Sequence, residues 1–193
     1  MNATLRSRAL IAALALAAFA ITLGAKGFVR DDRWLIAENP LIQQGLSGAG
    51  RHFTTGYWEG VVGRAAQIQE YRPLLTLSYL AHFATTGPAK APMHLANMLL
   101  HALVCLLLWE GLRRRVAPGA ALFAALVFAV MPIHAEAVSY ISSRSELLAA
   151  ASVLGAWLLL SGNPSDRKIL AGAAVFGAGL LSKEHPVLFP FWL

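Results

Sequence analysis

A chain of 193 residues with 57% hydrophobic residues, 13% charged residues and a mean hydropathy of +0.57 is too apolar for an ordinary water-soluble domain. Its 16 Lys+Arg against 10 Asp+Glu give a formal charge of +6. On so apolar a chain that excess reads as loops held on the cytoplasmic side of a membrane in contact with its lipids, not as a nucleic-acid-binding surface. The single Cys105 lies in an apolar run, which excludes an intrachain disulfide and assigns the thiol to the core. The last residues, Phe189 to Leu193, stop inside an apolar stretch without a polar flank, as expected of the N-terminal part of a longer chain.

The first uncharged run, Ala9–Ala25, covers about 26 Å at ~1.5 Å per residue, close to a ~30 Å hydrocarbon core. Arg6 and Arg8 precede it as they would a cleaved signal peptide, but the run is longer than a typical signal core and further apolar runs follow, so an uncleaved span is expected. Residues 26–92 form a long loop punctuated by Gly45, Gly48, Gly50, Gly56, Gly60 and Gly63. Its pieces His52–Glu59 and Val61–Glu70 read as short surface helices lying on the membrane. The stretch Pro73–Thr86 is fairly apolar but short and interrupted by His82, so it suits an interfacial or re-entrant helix better than a crossing. Further spans are expected at 93–112, 117–133, 147–160 and 169–181, with a sixth beginning at Val187. The fold class is therefore an all-α polytopic membrane protein of five to six spans. With the N-terminus cytoplasmic, Arg6, Arg8, Arg113 to Arg115, Arg167 and Lys168 all fall inside, while the outer short loops carry only Arg144 and Lys183. The long loop is exempt from this charge rule.

In that topology the remaining ionisable residues gather at the outer face, where charge at membrane depth is expensive and marks a candidate site. Asp31 and Asp32 follow the first span. Either could act as a general base on a hydroxyl or ligate a divalent cation, and a solvated flank that stops the span is an equally good account. Arg72 precedes the interfacial helix. His94, Asn97 and His101 share one helical stripe, but the two histidines stand about 10 Å apart along it, too far for one ion, so interhelical hydrogen bonding is the better reading. His134 and Glu136 lack zinc-site spacing, and Arg144 and Glu146 are close enough in sequence to pair with each other. Lys183 and Glu184, with His185, end the fifth span. Arg72, Arg144 and Lys183 are the cations available to a phosphate. No phosphate-binding glycine loop, serine-nucleophile elbow, cysteine pair or calcium loop is present.

In this order the motifs Phe28-Val29-Arg30-Asp31-Asp32, Tyr71-Arg72-Pro73-Leu74, Met93-His94-Leu95-Ala96-Asn97 with His101, Pro132-Ile133-His134-Ala135-Glu136-Ala137-Val138 and Arg144-Ser145-Glu146-Leu147-Leu148 resemble the membrane half of the transmembrane and tetratricopeptide-repeat-containing O-mannosyltransferases. Ser182-Lys183-Glu184 falls where that family has a similar polar cluster. The resemblance implies a GT-C fold whose active site lies at the outer or lumenal face. It implies mannose transfer from a polyprenyl-phosphate donor to a Ser or Thr hydroxyl of a protein acceptor. Asp31 or Asp32 would be the base, Arg72, Arg144 and Lys183 the candidate phosphate ligands, and His134 and Glu136 would shape the sugar pocket or orient the base. His94, Asn97, Glu146 and Glu184 would be further donor-phosphate or sugar-binding candidates, and a divalent cation an optional cofactor. Met131 stands where the family commonly has a second histidine, and the tetratricopeptide repeats that follow in the family are not in this sequence. The Ala- and Arg-rich composition favours a bacterial inner membrane over the endoplasmic reticulum. The rival readings are a related transferase acting on a glycolipid or glycan, a transporter with a polar path, and a non-enzymatic scaffold.

Overall fold

The computed structural model describes residues 3–62 and 70–192, and every regular element among them is helical. Helix α1 (Ala3–Phe19) continues as a 3-10 turn over Ala20–Gly24. The loop that follows contains a π-helical turn (Arg33–Ala37), α2 (Pro40–Gln43), a 3-10 stretch (Gly45–Phe53) and α3 (Glu59–Val62). Then come α4 (Pro73–Thr86), α5 (Lys90–Leu112), α6 (Pro118–Val130), a 3-10 turn (Pro132–His134), α7 (Ala135–Ser139), α8 (Arg144–Leu160), α9 (Asp166–Leu180) and a final 3-10 stretch (His185–Trp192). Most of the expected piece Val61–Glu70 lies outside the described residues.

Among the described residues, two helices are long and apolar enough to cross a membrane, Ala3–Gly24 and Lys90–Leu112, or three if one bent pair is a single span, against the five to six expected. The span expected at 117–133 breaks instead: α6 stops at Val130, and the pair Pro118–Val130 and Pro132–Ser139 is bent by 49°. Pro132 explains the break, because it has no N–H for the helix ladder and forces the preceding Met131 into an extended conformation (φ −61°, ψ 129°). The interruption frees the Ala129 carbonyl, which accepts a hydrogen bond from His101 Nε2 at 3.0 Å. His101 is thereby fixed as the Nε2–H tautomer, since a carbonyl only accepts. The helices expected at 147–160 and 169–181 form as α8 and α9, of 17 and 15 residues, and they pack closely side by side. Gly179 permits this approach: a Cβ there would lie 2.0 Å from Ser152 Oγ.

Helix α1 packs on α5 and α6, α5 on α8, and α8 on α9. Where α1, α5 and α6 meet, Ala121, Ala125 and Ala129 present a small-residue face to Ile11, Ala15, Cys105 and Trp109. The bundle has a basic end, where Arg8 reaches Glu110 at 3.4 Å and Arg115 reaches Ser161. At the opposite end Leu74 N bonds Leu181 O at 3.1 Å, and His82 Nε2 meets Pro92 O at 3.2 Å. Both ends of α4 are thus held at one end of the bundle, so this helix does not traverse it. The loop elements are more than surface helices. Leu35, Ile36, Ile42 and Tyr57 join Leu75, Tyr79, Leu80, Met93 and Ile141 in a buried core that caps this end.

At the basic end, a Cβ on Gly111 would stand 2.0 Å from Trp157, whose ring is covered on another side by the Arg115 guanidinium at 4.0 Å. Gly111→Ala is expected to destabilise the α5/α8 contact by about 1–3 kcal/mol. A lowered unfolding temperature in detergent would check this, with Gly119→Ala, where nothing lies within 4 Å of the added carbon, leaving it unchanged or raised.

Candidate active site

The site is built around the segment 138–144, which joins α7 to α8 and has its backbone held by side chains from three other elements. Asp32 is buried, and its carboxylate accepts hydrogen bonds from Ile141 N at 2.9 Å and Ser142 N at 2.6 Å. Tyr79 Oη, on α4, donates to the Ile141 and Ser142 carbonyls at 3.1 and 3.3 Å. Asn97 Nδ2, on α5, donates to Val138 O and Tyr140 O. Arg144, the largest fully buried side chain, donates to Asn97 Oδ1 at 2.8 Å, Ser78 Oγ at 3.0 Å and Met93 O at 3.0 Å, with its guanidinium over the Tyr79 ring. The expected Arg144–Glu146 pair is therefore absent: a guanidinium that must be satisfied inside the core turns away from the surface. The turn leading to Asp32 is strained, for Arg30 has a φ of 51°, a conformation that costs a non-glycine residue on the order of 1 kcal/mol or more.

In front of this clamp lies a polar cavity of about 290 Å³ lined by Asp31, Glu136, Glu146 and Lys183, by Arg72 and Glu70, by the hydroxyls of Ser142, Ser143 and Ser145, and by Tyr57 and Trp58. Arg72 makes a bidentate contact with Glu184, at 3.2 and 3.1 Å, and a third contact with Glu70 at 3.1 Å. Burial opposes the charge of both partners, yet the hydrogen bonds and the opposite charges outweigh it: Arg72 is held above its ordinary pKa and Glu184 below the usual carboxylate range. The stabilisation from Glu184 is therefore complete above the ordinary carboxylate pKa and is lost as pH falls through the lowered one. Lys183 pairs with Glu146. Among the described residues, Asp31 and Glu136 form no ion pair, and both are exposed. Glu146 also borders a second, apolar groove of about 410 Å³ formed by Ala149, Ala150, Val153, Pro186 and Leu188 with His185.

The structure thus brings together Asp31, Arg72, Glu136, Glu146, Lys183 and Glu184. It places Asp32, Asn97 and Arg144 behind the cavity as its support. His94 is also buried, and neither of its ring nitrogens has a hydrogen-bond partner among the described residues. His134 does not line the cavity; its ring lies 4.2 Å from Phe128 and 5.2 Å from His101, inside the bundle. Among the described residues no three His, Cys, Asp or Glu side chains converge to hold a metal ion. Sequence reasoning missed Tyr57, Trp58, Glu70 and the three serines. The only sequence signal for the first two was an aromatic pair directly after Gly56 in an otherwise polar loop.

Arg144→Met is expected to cost about 3–5 kcal/mol, because it strips a buried network and leaves Asn97 Oδ1, Ser78 Oγ and the Met93 carbonyl without their donor. Limited proteolysis of the purified variant in detergent, compared with wild type, would show the loss as cleavage within 138–144.

Comparison with known proteins places this geometry in a family. Residues 73–193, more than half of the chain, match the model of the dolichyl-phosphate-mannose-protein mannosyltransferase family. The chain is 36% identical over 133 residues to the protein O-mannosyl-transferase TMTC1 of Homo sapiens, covering 68% of this chain and 15% of that protein. It is 33% identical over 182 residues to the protein O-mannosyl-transferase Tmtc2 of Drosophila melanogaster (89% and 19%). Against the protein O-mannosyl-transferase TMTC3 of Mus musculus it is 30% identical over 132 residues (68% and 14%). The chain therefore spans less than a fifth of the length of these curated relatives. No solved structure matches it. By the extent of the family match, the chain belongs to the dolichyl-phosphate-mannose-protein mannosyltransferase family.

Proposed function

We propose that this chain is part of a membrane mannosyltransferase that moves mannose from a polyprenyl-phosphate carrier to a Ser or Thr hydroxyl of a protein, at the outer or lumenal membrane face. The observation that carries the reading is the junction of the polar cavity with the apolar groove at Glu146, which matches a substrate with a polar head and a hydrocarbon tail. In this reading α8 and α9 also cross the membrane, the final 3-10 stretch leads into a further span, and the whole is a partial GT-C bundle in a bacterial inner membrane with its N-terminus cytoplasmic. The names of the relatives, all protein O-mannosyl-transferases, support the same chemistry.

Of the two aspartates, Asp32 has both oxygens engaged by backbone N–H groups, whereas Asp31 is exposed at the cavity with no ion pair among the described residues. Asp31 is accordingly the base. It takes the proton of the acceptor hydroxyl, the oxygen attacks the anomeric carbon from the face opposite the phosphate, the carbon–oxygen bond to phosphate breaks, and polyprenyl phosphate leaves with the bonding pair. Lys183 and Arg72 are the cations that meet the developing phosphate charge. Both already hold carboxylates, so the phosphate displaces one of them. Lys183 exchanges more easily, since among the described residues it holds one carboxylate, Glu146, whereas Arg72 is held by two, Glu70 and Glu184.

The reading is tested by transfer of radiolabelled mannose from polyprenyl-phosphate mannose to membrane-protein acceptors, using the complete protein. Asp31→Asn should lower transfer by roughly 10²–10⁴-fold with an unchanged unfolding temperature. Asp32→Asn should lower the unfolding temperature, because its amide group opposes an N–H donor where a carboxylate oxygen stood. Full transfer by Asp31→Asn would remove that residue from the chemistry, and label appearing only in lipid would move the acceptor from protein to a glycolipid.

A further inference from the structure

The first turn of α8 faces the polar cavity with hydrogen-bond donors unspent. Ser142, Ser143 and Ser145 line the cavity, and none of their hydroxyls makes a hydrogen bond among the described residues. Ser143 stands at the N-cap, but its ψ of 3° is not the extended backbone of a capping serine, and its side chain caps nothing. Ser145 is 2% exposed, and its hydroxyl opens on the cavity instead of being sealed as the His94 nitrogens are. The Ser145 N–H is also given to no acceptor among the described residues, although its neighbours are engaged: Arg144 N bonds Ile141 O at 3.2 Å and Glu146 N bonds Ser143 O at 3.0 Å. A buried residue keeps two open donors chiefly where a ligand or an ordered water completes them.

The surroundings define what can complete Ser145. Helix α8 runs for 17 residues, and its aligned peptide dipoles leave partial positive charge at this end. Lys183 is brought to the same turn by its pair with Glu146. The rest of the cavity wall is acidic, with Asp31, Glu70 and Glu136, so an anion finds its favourable potential here. An N–H and a hydroxyl on one residue at a helix N-terminus suit a group that only accepts, as a phosphate oxygen does. The apolar groove starts one residue further on: Glu146, Ala149, Ala150 and Val153 border it and recur at the spacing of a single face of α8. A phosphate seated on the first turn therefore has its hydrocarbon chain led away along the same helix.

We infer that the N-terminal turn of α8 is the seat of the lipid carrier's phosphate, where Ser145 gives both its N–H and its hydroxyl to the phosphate oxygens and Lys183 supplies the opposing charge. The inference rests on the donor reading above. It adds to that reading the neutral donors that hold a phosphate in a cavity rich in carboxylates.

Binding of two probes to the complete protein in nanodiscs separates the possibilities: polyprenyl phosphate, and the polyprenol that lacks the phosphate. Ser145→Ala should weaken polyprenyl phosphate about ten-fold or more, as expected for one hydrogen bond lost to a charged group, and leave polyprenol unchanged. The unfolding temperature without ligand should stay at or above that of wild type, because the lost hydroxyl makes no bond in the fold and alanine favours a helix. Identical binding by wild type and variant would overturn the inference, as would equal weakening of both lipids. A lowered unfolding temperature would give the hydroxyl a structural partner and overturn it too. Displacement of polyprenyl phosphate by millimolar inorganic phosphate would make the turn a site for free phosphate and overturn its assignment to the carrier. Wild type binding both lipids equally would overturn the donor reading, and the inference with it.

Discussion

The arrangement of the whole cavity end depends on a buried carboxylate and a buried guanidinium that never touch each other. Asp32 and Arg144 hold the same seven-residue connection from opposite ends, one through the N–H groups of Ile141 and Ser142, the other through Asn97, Ser78 and the Met93 carbonyl. A direct ion pair would neutralise both charges but would leave the turn's backbone groups unsatisfied in a core that excludes water. Routing each charge through peptide dipoles and amides satisfies charge and backbone together. The consequence for the site is register: Glu136 precedes this turn, Ser142 and Ser143 lie on it, and Ser145 and Glu146 open α8 just beyond it. Once the turn is fixed, the cavity wall is fixed.

That clamp also explains why the loop after α1 folds as a cap. Asp32 binds the turn only if Arg30 accepts a left-handed backbone, and the core formed by Leu35, Ile36, Ile42 and Tyr57 on α4 supplies the burial that holds it there. Apolar side chains at ~25 cal/mol per Å² of buried area readily offset one strained residue. Asp31, next in sequence to a buried anchor, is then obliged to face the other way. Adjacent residues at a tight turn cannot share an environment, so the burial of Asp32 is what presents Asp31 to the cavity.

Elements set by local chemistry were legible in the sequence, and elements set by long-range contacts were not. Pro73 at the start and Gly87 after the end delimited α4 to the residue, since a proline fits the first helical turn and a glycine at φ 62° stops the last. The apolar runs located α1, α5, α8 and α9. The break after Val130 carried its own signal in Pro132, but hydropathy alone reads across it. The stripe His94, Asn97, His101 was correctly placed on one face, and hydrogen bonding between helices is what Asn97 and His101 do there. What could not be read was the division of labour among the charges. An arginine near a membrane face looks like a ligand for phosphate, and only tertiary structure distinguishes Arg144, sealed by three elements, from Arg72, which lines the cavity. Tyr57 and Trp58 were missed for the same reason: nothing in Gly56-Tyr57-Trp58-Glu59 states which of its neighbours will be a carboxylate.

The two ends of the bundle treat their cations differently, and this bears on where chemistry is possible. At the basic end, Arg8, Arg113 and Arg114 converge on one carboxylate, Glu110, while Arg8 and Arg113 lie against Trp109 and Arg115 against Trp157. Positive charge is in excess there, and indole rings tie it to the apolar surface, which is an anchoring arrangement for a membrane interface. At the cavity end the balance reverses: Arg72 is shared by two carboxylates, Lys183 has one, and Asp31 and Glu136 have no cation among the described residues. A free phosphate would be repelled by such a site, so an anionic substrate enters only if other interactions carry it in. Under the proposed function, a hydrocarbon chain in the adjoining apolar groove would supply that energy at about 0.8 kcal/mol per buried methylene. Under the proposed transfer, this excess of carboxylate would leave Asp31 without a cation beside the reacting carbon and would favour departure of the phosphate.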